Sequence, residues 1–73
     1  MKGLAKPYRI EAREFADFDS ANEYAEQESY RTGRSVYIWN TRSRTVTEIN
    51  IRYRRRQIAE KYGFEYTQQV VQQ

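Results

Sequence analysis

Polarity alternates with a period of two over residues 6–13, with Tyr8, Ile10 and Ala12 on one side and Arg9, Glu11 and Arg13 on the other. This is the pattern of a half-buried strand. Pro7 suits its first position, where no ladder donor is needed. The period then changes. Ser20 is followed three residues later by Glu23, a capping-box spacing in which each side chain satisfies a backbone donor at a helix start, so a helix is predicted to begin at Ser20. Ala21, Tyr24, Ala25 and Glu28 continue it at helical spacing, and Gly33 is a natural stop. Asp19, Glu23 and Glu26 place negative charge toward the positive end of the helix dipole. Phe15 and Phe18, just before the cap, supply the large apolar groups that this small-faced helix needs to dock.

Residues 35–40 and 44–53 are dense in β-branched and aromatic side chains, and the polar stretch 40–44 between them reads as a hairpin connection. Val36 and Ile38 share one face with Asn40, Tyr37 and Trp39 share the other, and Ile49, Ile51 and Tyr53 line up on one side of the last strand. Both faces of the hairpin therefore carry apolar surface. Strand and helix compete for residues 50–53, because Ile51, Arg55, Ile58 and Tyr62 also lie at helical spacing, with Asn50 as a cap and Gly63 as a stop. The expectation is a strand ending near Tyr53, then a short, basic, weakly held helix. The predicted fold is a small α+β domain of β-α-β-β order, one helix on a three-stranded sheet, with a basic, partly helical or disordered C-terminal tail. One domain spans 1–66, including a basic N-terminal arm (1–7), and a disordered tail spans 67–73.

Composition narrows the chemistry. The 73 residues include no cysteine and no histidine, which removes the side chains most used for soft-metal binding and near-neutral proton transfer. Neither cofactor nor metal is expected. A single core of this size supplies only a few kcal/mol of net stability, too little to support a deep pocket with strained catalytic groups, so a non-enzymatic binding face is expected. Lack of cysteine fits a cytosolic protein, and no stretch approaches the roughly 20 apolar residues of a membrane-spanning helix.

The net charge of +3 hides an asymmetry: residues 1–30 carry 4 basic and 7 acidic side chains, whereas residues 31–62 carry 9 basic, 8 of them arginine, and 2 acidic. Arginine suits phosphate, carboxylate and aromatic surfaces because its planar fork donates bidentately and stacks. Arg52, Arg54, Arg55 and Arg56, with Arg42 and Arg44 on the hairpin, are candidate phosphate contacts or a solvated surface. Tyr37, Trp39 and Tyr53 suit stacking on unpaired bases, and more often such residues form the second face of a small core. Glu23, Glu26 and Glu28 read as the wet face of the helix. Glu11 with Glu14, and Asp17 with Asp19, lack a calcium-loop glycine or a pocket and read as structural. A flank of each sign suits a protein surface of mixed charge, or a protein groove through which nucleic acid also runs.

The run FADFDSANEYAEQESYRTGRSVYIWN, entered from PYRIEAR and leaving through TRSRTVTEINIRYRRR, resembles the small RNA polymerase-binding transcription inhibitors and antiterminators of lytic phages, of the kind a Xanthomonas phage carries. The likeness covers the whole chain and lies in length, layout and texture, with no diagnostic motif. It implies binding to bacterial RNA polymerase near the RNA exit channel, on the amino-terminal region of β′ and the β flap, in the host cytoplasm, with nascent RNA nearby. Initiation would suffer through loss of σ, and hairpin-dependent termination would be suppressed. The likeness transfers no contact residues. The sequence itself offers the basic arm, Lys2, Leu4, Lys6 and Arg9, and the arginines Arg42, Arg44, Arg52, Arg54, Arg55 and Arg56, on a chain expected to be a monomer. Two other classes compete: a stand-alone single-stranded nucleic-acid binder using the arginine and aromatic hairpin face, and a nuclease inhibitor or nucleic-acid mimic using the acidic flank.

Overall fold

The computed structural model describes residues 6–65. Four strands and two helices form an α+β domain: β1 (Tyr8–Ile10), β2 (Arg13–Phe15), α1 (Phe18–Thr32), β3 (Val36–Asn40), β4 (Thr45–Ile49), a 3-10 turn (Arg52–Arg54) and α2 (Arg55–Tyr62). The sheet order is β2-β1-β3-β4, with each neighbouring pair antiparallel. This corrects the expected three-stranded sheet with a single helix.

The extra strand comes from residues 6–13, predicted as one strand. The chain folds back at Glu11 and Ala12, pairing Ile10 with Arg13 and Tyr8 with Phe15. Glu11 takes φ 54, a left-handed value uncommon outside glycine and asparagine, and two-residue hairpin loops favour such values.

The helix begins earlier than the capping box suggested. Asp17 is its N-cap, its Oδ1 accepting the Ser20 backbone N–H at 2.8 Å. The hydrogen bond from Ser20 holds the Asp17 carboxyl below its ordinary range. Asp17→Ala is therefore expected to lower the thermal midpoint, with Ser20→Ala staying close to wild type; circular dichroism melts of the two variants decide which residue is the cap. At the other end Gly33 closes α1 at φ 76, its N–H donating to the Ser29 carbonyl at 2.8 Å, a left-handed cap that glycine adopts without strain.

Ala21, Ala25 and Ser29 are the small residues α1 buries, so the helix lies close on the sheet. Phe15 is half-buried and packs on Tyr24 with ring centroids 5.6 Å apart, while Phe18 meets Tyr8 edge-on at 5.8 Å. Ile10, Val36, Ile38, Ile49, Ile51 and Ile58 form the core with Ala21 and Ala25. The strand expected to reach Tyr53 ends at Ile49. Asn50 accepts the Arg52 N–H at 2.8 Å, Ile51 turns inward to full burial, and Tyr53 is left 90% exposed. The helical stripe wins because Ile51 and Ile58 then both enter one core. Gly63, at φ 75, stops α2 as expected. The predicted tail 67–73 lies outside the described residues.

Candidate interaction face

The packing of α1 on the sheet decides which of the two apolar hairpin faces is covered. Val36 and Ile38 turn toward α1 and are buried, and Tyr37 and Trp39 turn away from it. Trp39 lies opposite Arg9 on one side and Val46 on the other, and Arg9 in turn lies opposite Glu14. One row of side chains, Glu14, Arg9, Trp39 and Val46, thus crosses the whole sheet on its outer face. Tyr37 and Glu48 form a neighbouring pair. Trp39 is 40% exposed, Val46 53% and Tyr37 54%. The reading of Tyr37 and Trp39 as a second core face is thereby corrected, because both helices pack on the opposite side. Tyr53 belongs to neither face.

Basic residues gather at one end of this face. The Pro7 carbonyl accepts the Thr41 N–H at 2.8 Å and its hydroxyl at 3.0 Å, which ties the segment carrying Lys6 to the β3–β4 loop. In that loop Asn40 Oδ1 accepts the N–H groups of Arg42 and Ser43 at 3.0 and 3.1 Å, and Arg44 turns the chain at φ 61. Lys6, Arg9, Arg42 and Arg44 are all exposed, and strand register brings them to the Trp39 end of the sheet. Lys2 and Leu4 lie outside the described residues.

The arginines of 52–56 are set apart from this face and divide among themselves. Arg55 is half-buried: it donates to the Tyr30 carbonyl at 3.2 Å and lies 4.1 Å from the Tyr30 ring centroid, satisfying a carbonyl near the α1 C-terminus. Arg54 reaches Glu26 at 3.3 Å. Arg52 and Arg56 stay exposed, the first over Tyr53 and the second 3.7 Å from Glu60. Two of the four thus hold α2 to α1, and two remain open to a partner.

Glu26, read above as part of a wet helix face, is 4% exposed. Its Oε1 accepts from Tyr62 at 2.6 Å and Lys61 at 3.0 Å, and its Oε2 from Arg54. Burial pushes this carboxyl up, but the donors from Tyr62, Lys61 and Arg54 and the charge of Lys61 together hold it below its ordinary range. No local signal marks it, because its partners lie 28 to 36 residues away. Glu28 is half-buried and pairs with Arg31, whereas Glu23 is exposed as expected.

Among the described residues no group of three or more acidic, histidine or cysteine side chains is placed to hold a metal ion, and no helix is long and apolar enough to cross a membrane. No family model, curated protein or solved structure matches the chain.

Proposed function

We propose that this chain acts by docking, as a phage regulator that binds bacterial RNA polymerase near the RNA exit channel, on the β′ amino-terminal region and the β flap, inhibiting σ-dependent initiation and suppressing intrinsic termination. The observation that carries the docking is the open row of Glu14, Arg9, Trp39 and Val46. Tryptophan, tyrosine and arginine are the residues that dominate binding energy at protein interfaces. Glu14 and Glu48 at the margins would repel a polyanion laid across the whole face, and suit a protein surface of mixed charge. The choice of polymerase follows the resemblance of the chain to phage regulators.

One observation favours a second reading, a stand-alone single-stranded nucleic-acid binder. Tyr37 and Trp39 stand uncovered on a central strand with Lys6, Arg42 and Arg44 at one end, the arrangement of a base-stacking platform. The two separate cleanly. Mixed with bacterial RNA polymerase at moderate salt, the protein should co-migrate with the enzyme, and absence of a complex at micromolar concentration rules the first reading out. Under the second, an oligonucleotide alone quenches Trp39 fluorescence with a steep salt slope.

A further inference from the structure

β4 is an edge strand, with β3 beside it in the sheet and α1 on its inner side. Thr45, Val46, Thr47 and Glu48 are all exposed. An open edge presents unpaired N–H and C=O groups, and proteins commonly blunt it with proline, lysine, a bulge or a covering segment. The run Thr-Val-Thr-Glu-Ile contains neither proline nor lysine, its one charged residue being Glu48, and its five residues pair one to one with β3 without a bulge. Its β-branched residues favour strand pairing.

The edge is self-complementary in one register. Turned antiparallel onto a second copy with Val46 on the two-fold axis, Thr45 faces Thr47 of the second copy, and Arg44, the turn residue just before the strand, lies at the end of the pairing beside its Glu48. Threonine pairs and opposite charges are favourable across strands, and the facing valines bring apolar surface together. Sliding the copies to put Thr47 on the axis sets Val46 against Glu48, and putting Glu48 there opposes like charges. The Val46 register also places Val46 beside its counterpart on the outer face, where each already lies opposite its own Trp39. The two open faces then join into one, with an apolar centre and an Arg9 on each side.

We infer that β4 is a self-association edge and that its occupant is the β4 of a second copy, paired antiparallel about Val46. Stable interfaces bury about 1,200–2,000 Å² in total, more than one short edge provides. The dimer therefore forms at high concentration or on a target with two sites, and the expected monomer is the dilute form. This inference does not rest on the polymerase reading: each is tested without the other.

The native chain has no cysteine, so Val46→Cys introduces a single thiol. Directly opposed residues in an antiparallel pair have Cα atoms about 4.5–5.5 Å apart, within the span of a disulfide. Mild oxidation of that variant should give a covalent dimer, whereas Thr47→Cys, which does not face itself in this register, should stay monomeric. In sedimentation equilibrium the wild type should self-associate in the upper micromolar to millimolar range. Glu48→Arg should weaken that association at least several-fold, and adding Arg44→Glu should restore it. Because Glu48 also accepts from the Ser35 hydroxyl, the rescue is the decisive arm. A wild type that stays monomeric throughout, equal cross-linking at positions 46 and 47, or no rescue by the charge swap overturns the inference.

Discussion

Replacing Glu26 by alanine is expected to destabilise the domain by about 2–3 kcal/mol, the range for losing hydrogen bonds to a buried charged group, and to lower the thermal midpoint by roughly 10–20 °C for a domain of this size. The carboxylate accepts from Tyr62, Lys61 and Arg54, and α2 is an eight-residue helix, too short to persist without packing. The figure stays moderate because the Lys61 and Arg54 side chains are 51% and 45% exposed, so water takes them up once Glu26 is gone. Ile51 and Ile58 enter the same core as the sheet, so losing the anchor loosens more than one helix. Heat and urea unfolding measure the loss, and a variant within 0.5 kcal/mol of wild type, about the spread of neutral surface changes, would show that α2 is held by its apolar side alone.

The same site sets a pH dependence. The Glu26 carboxyl is held below its ordinary value of 4.5 in the folded protein, so the folded state binds its proton less readily than the unfolded chain. Its stabilisation is complete above about pH 5 and is lost as the pH falls through 4.5 toward the lowered folded value. Glu26→Gln cannot titrate there. The stability gap between wild type and Glu26→Gln should therefore narrow as the pH drops from 6 to 3, and urea midpoints taken at each pH follow it. Asp17 and Glu28 are lowered in the same direction, but both proteins share them, so their contribution cancels in the difference.

These two features mark the boundary of what local sequence carries. Helix α1, its stop at Gly33, and the split of Val36 and Ile38 from Tyr37 and Trp39 were legible because each depends on spacing within a few residues. Asp17 and Ser20 are both cap-type residues, and only geometry tells that Asp17 accepts from Ser20 and not Ser20 from Glu23. The β1–β2 turn was hidden because Glu11 and Ala12 lack the glycine or asparagine that marks two-residue hairpins. Alternation showed two apolar faces on the hairpin, and which face is open depends on where α1 packs, a tertiary fact. Glu26 was read as wet because a glutamate beside an alanine stripe normally is, and its donors come from the far end of the chain. The basic residues of the candidate site were visible as composition. Their division, Lys6, Arg9, Arg42 and Arg44 around the open face against Arg54 and Arg55 in the α1–α2 seam, required the fold.

Replacing Trp39 by alanine is expected to cut affinity for the proposed macromolecular target at least about 30-fold, the effect of removing an interface anchor worth about 2 kcal/mol or more, and to cost about 1–2 kcal/mol of stability through its cross-strand contacts with Arg9 and Val46. Trp39 is centred in the row between Arg9 and Val46, and its side of the sheet bears none of the core residues that face the helices. Arg9→Ala should give a smaller loss, because its guanidinium stands at the surface, with a shallower salt dependence as one charge leaves the interface. Arg55→Ala, by contrast, should lower stability more than binding, since that side chain is spent on Tyr30. Titrations of the three variants against RNA polymerase, alongside their unfolding curves, separate a docking face from a scaffold residue. If Trp39→Ala binds like wild type while Arg52→Ala and Arg56→Ala do not, the partner sits on the helical side and the open sheet is not the docking surface. If the variant loses only oligonucleotide binding, by about 1–3 kcal/mol per stacked base, the face is a nucleic-acid platform. Both outcomes turn on the same geometry, an indole that the two helices leave uncovered because they pack on the other side of a four-stranded sheet.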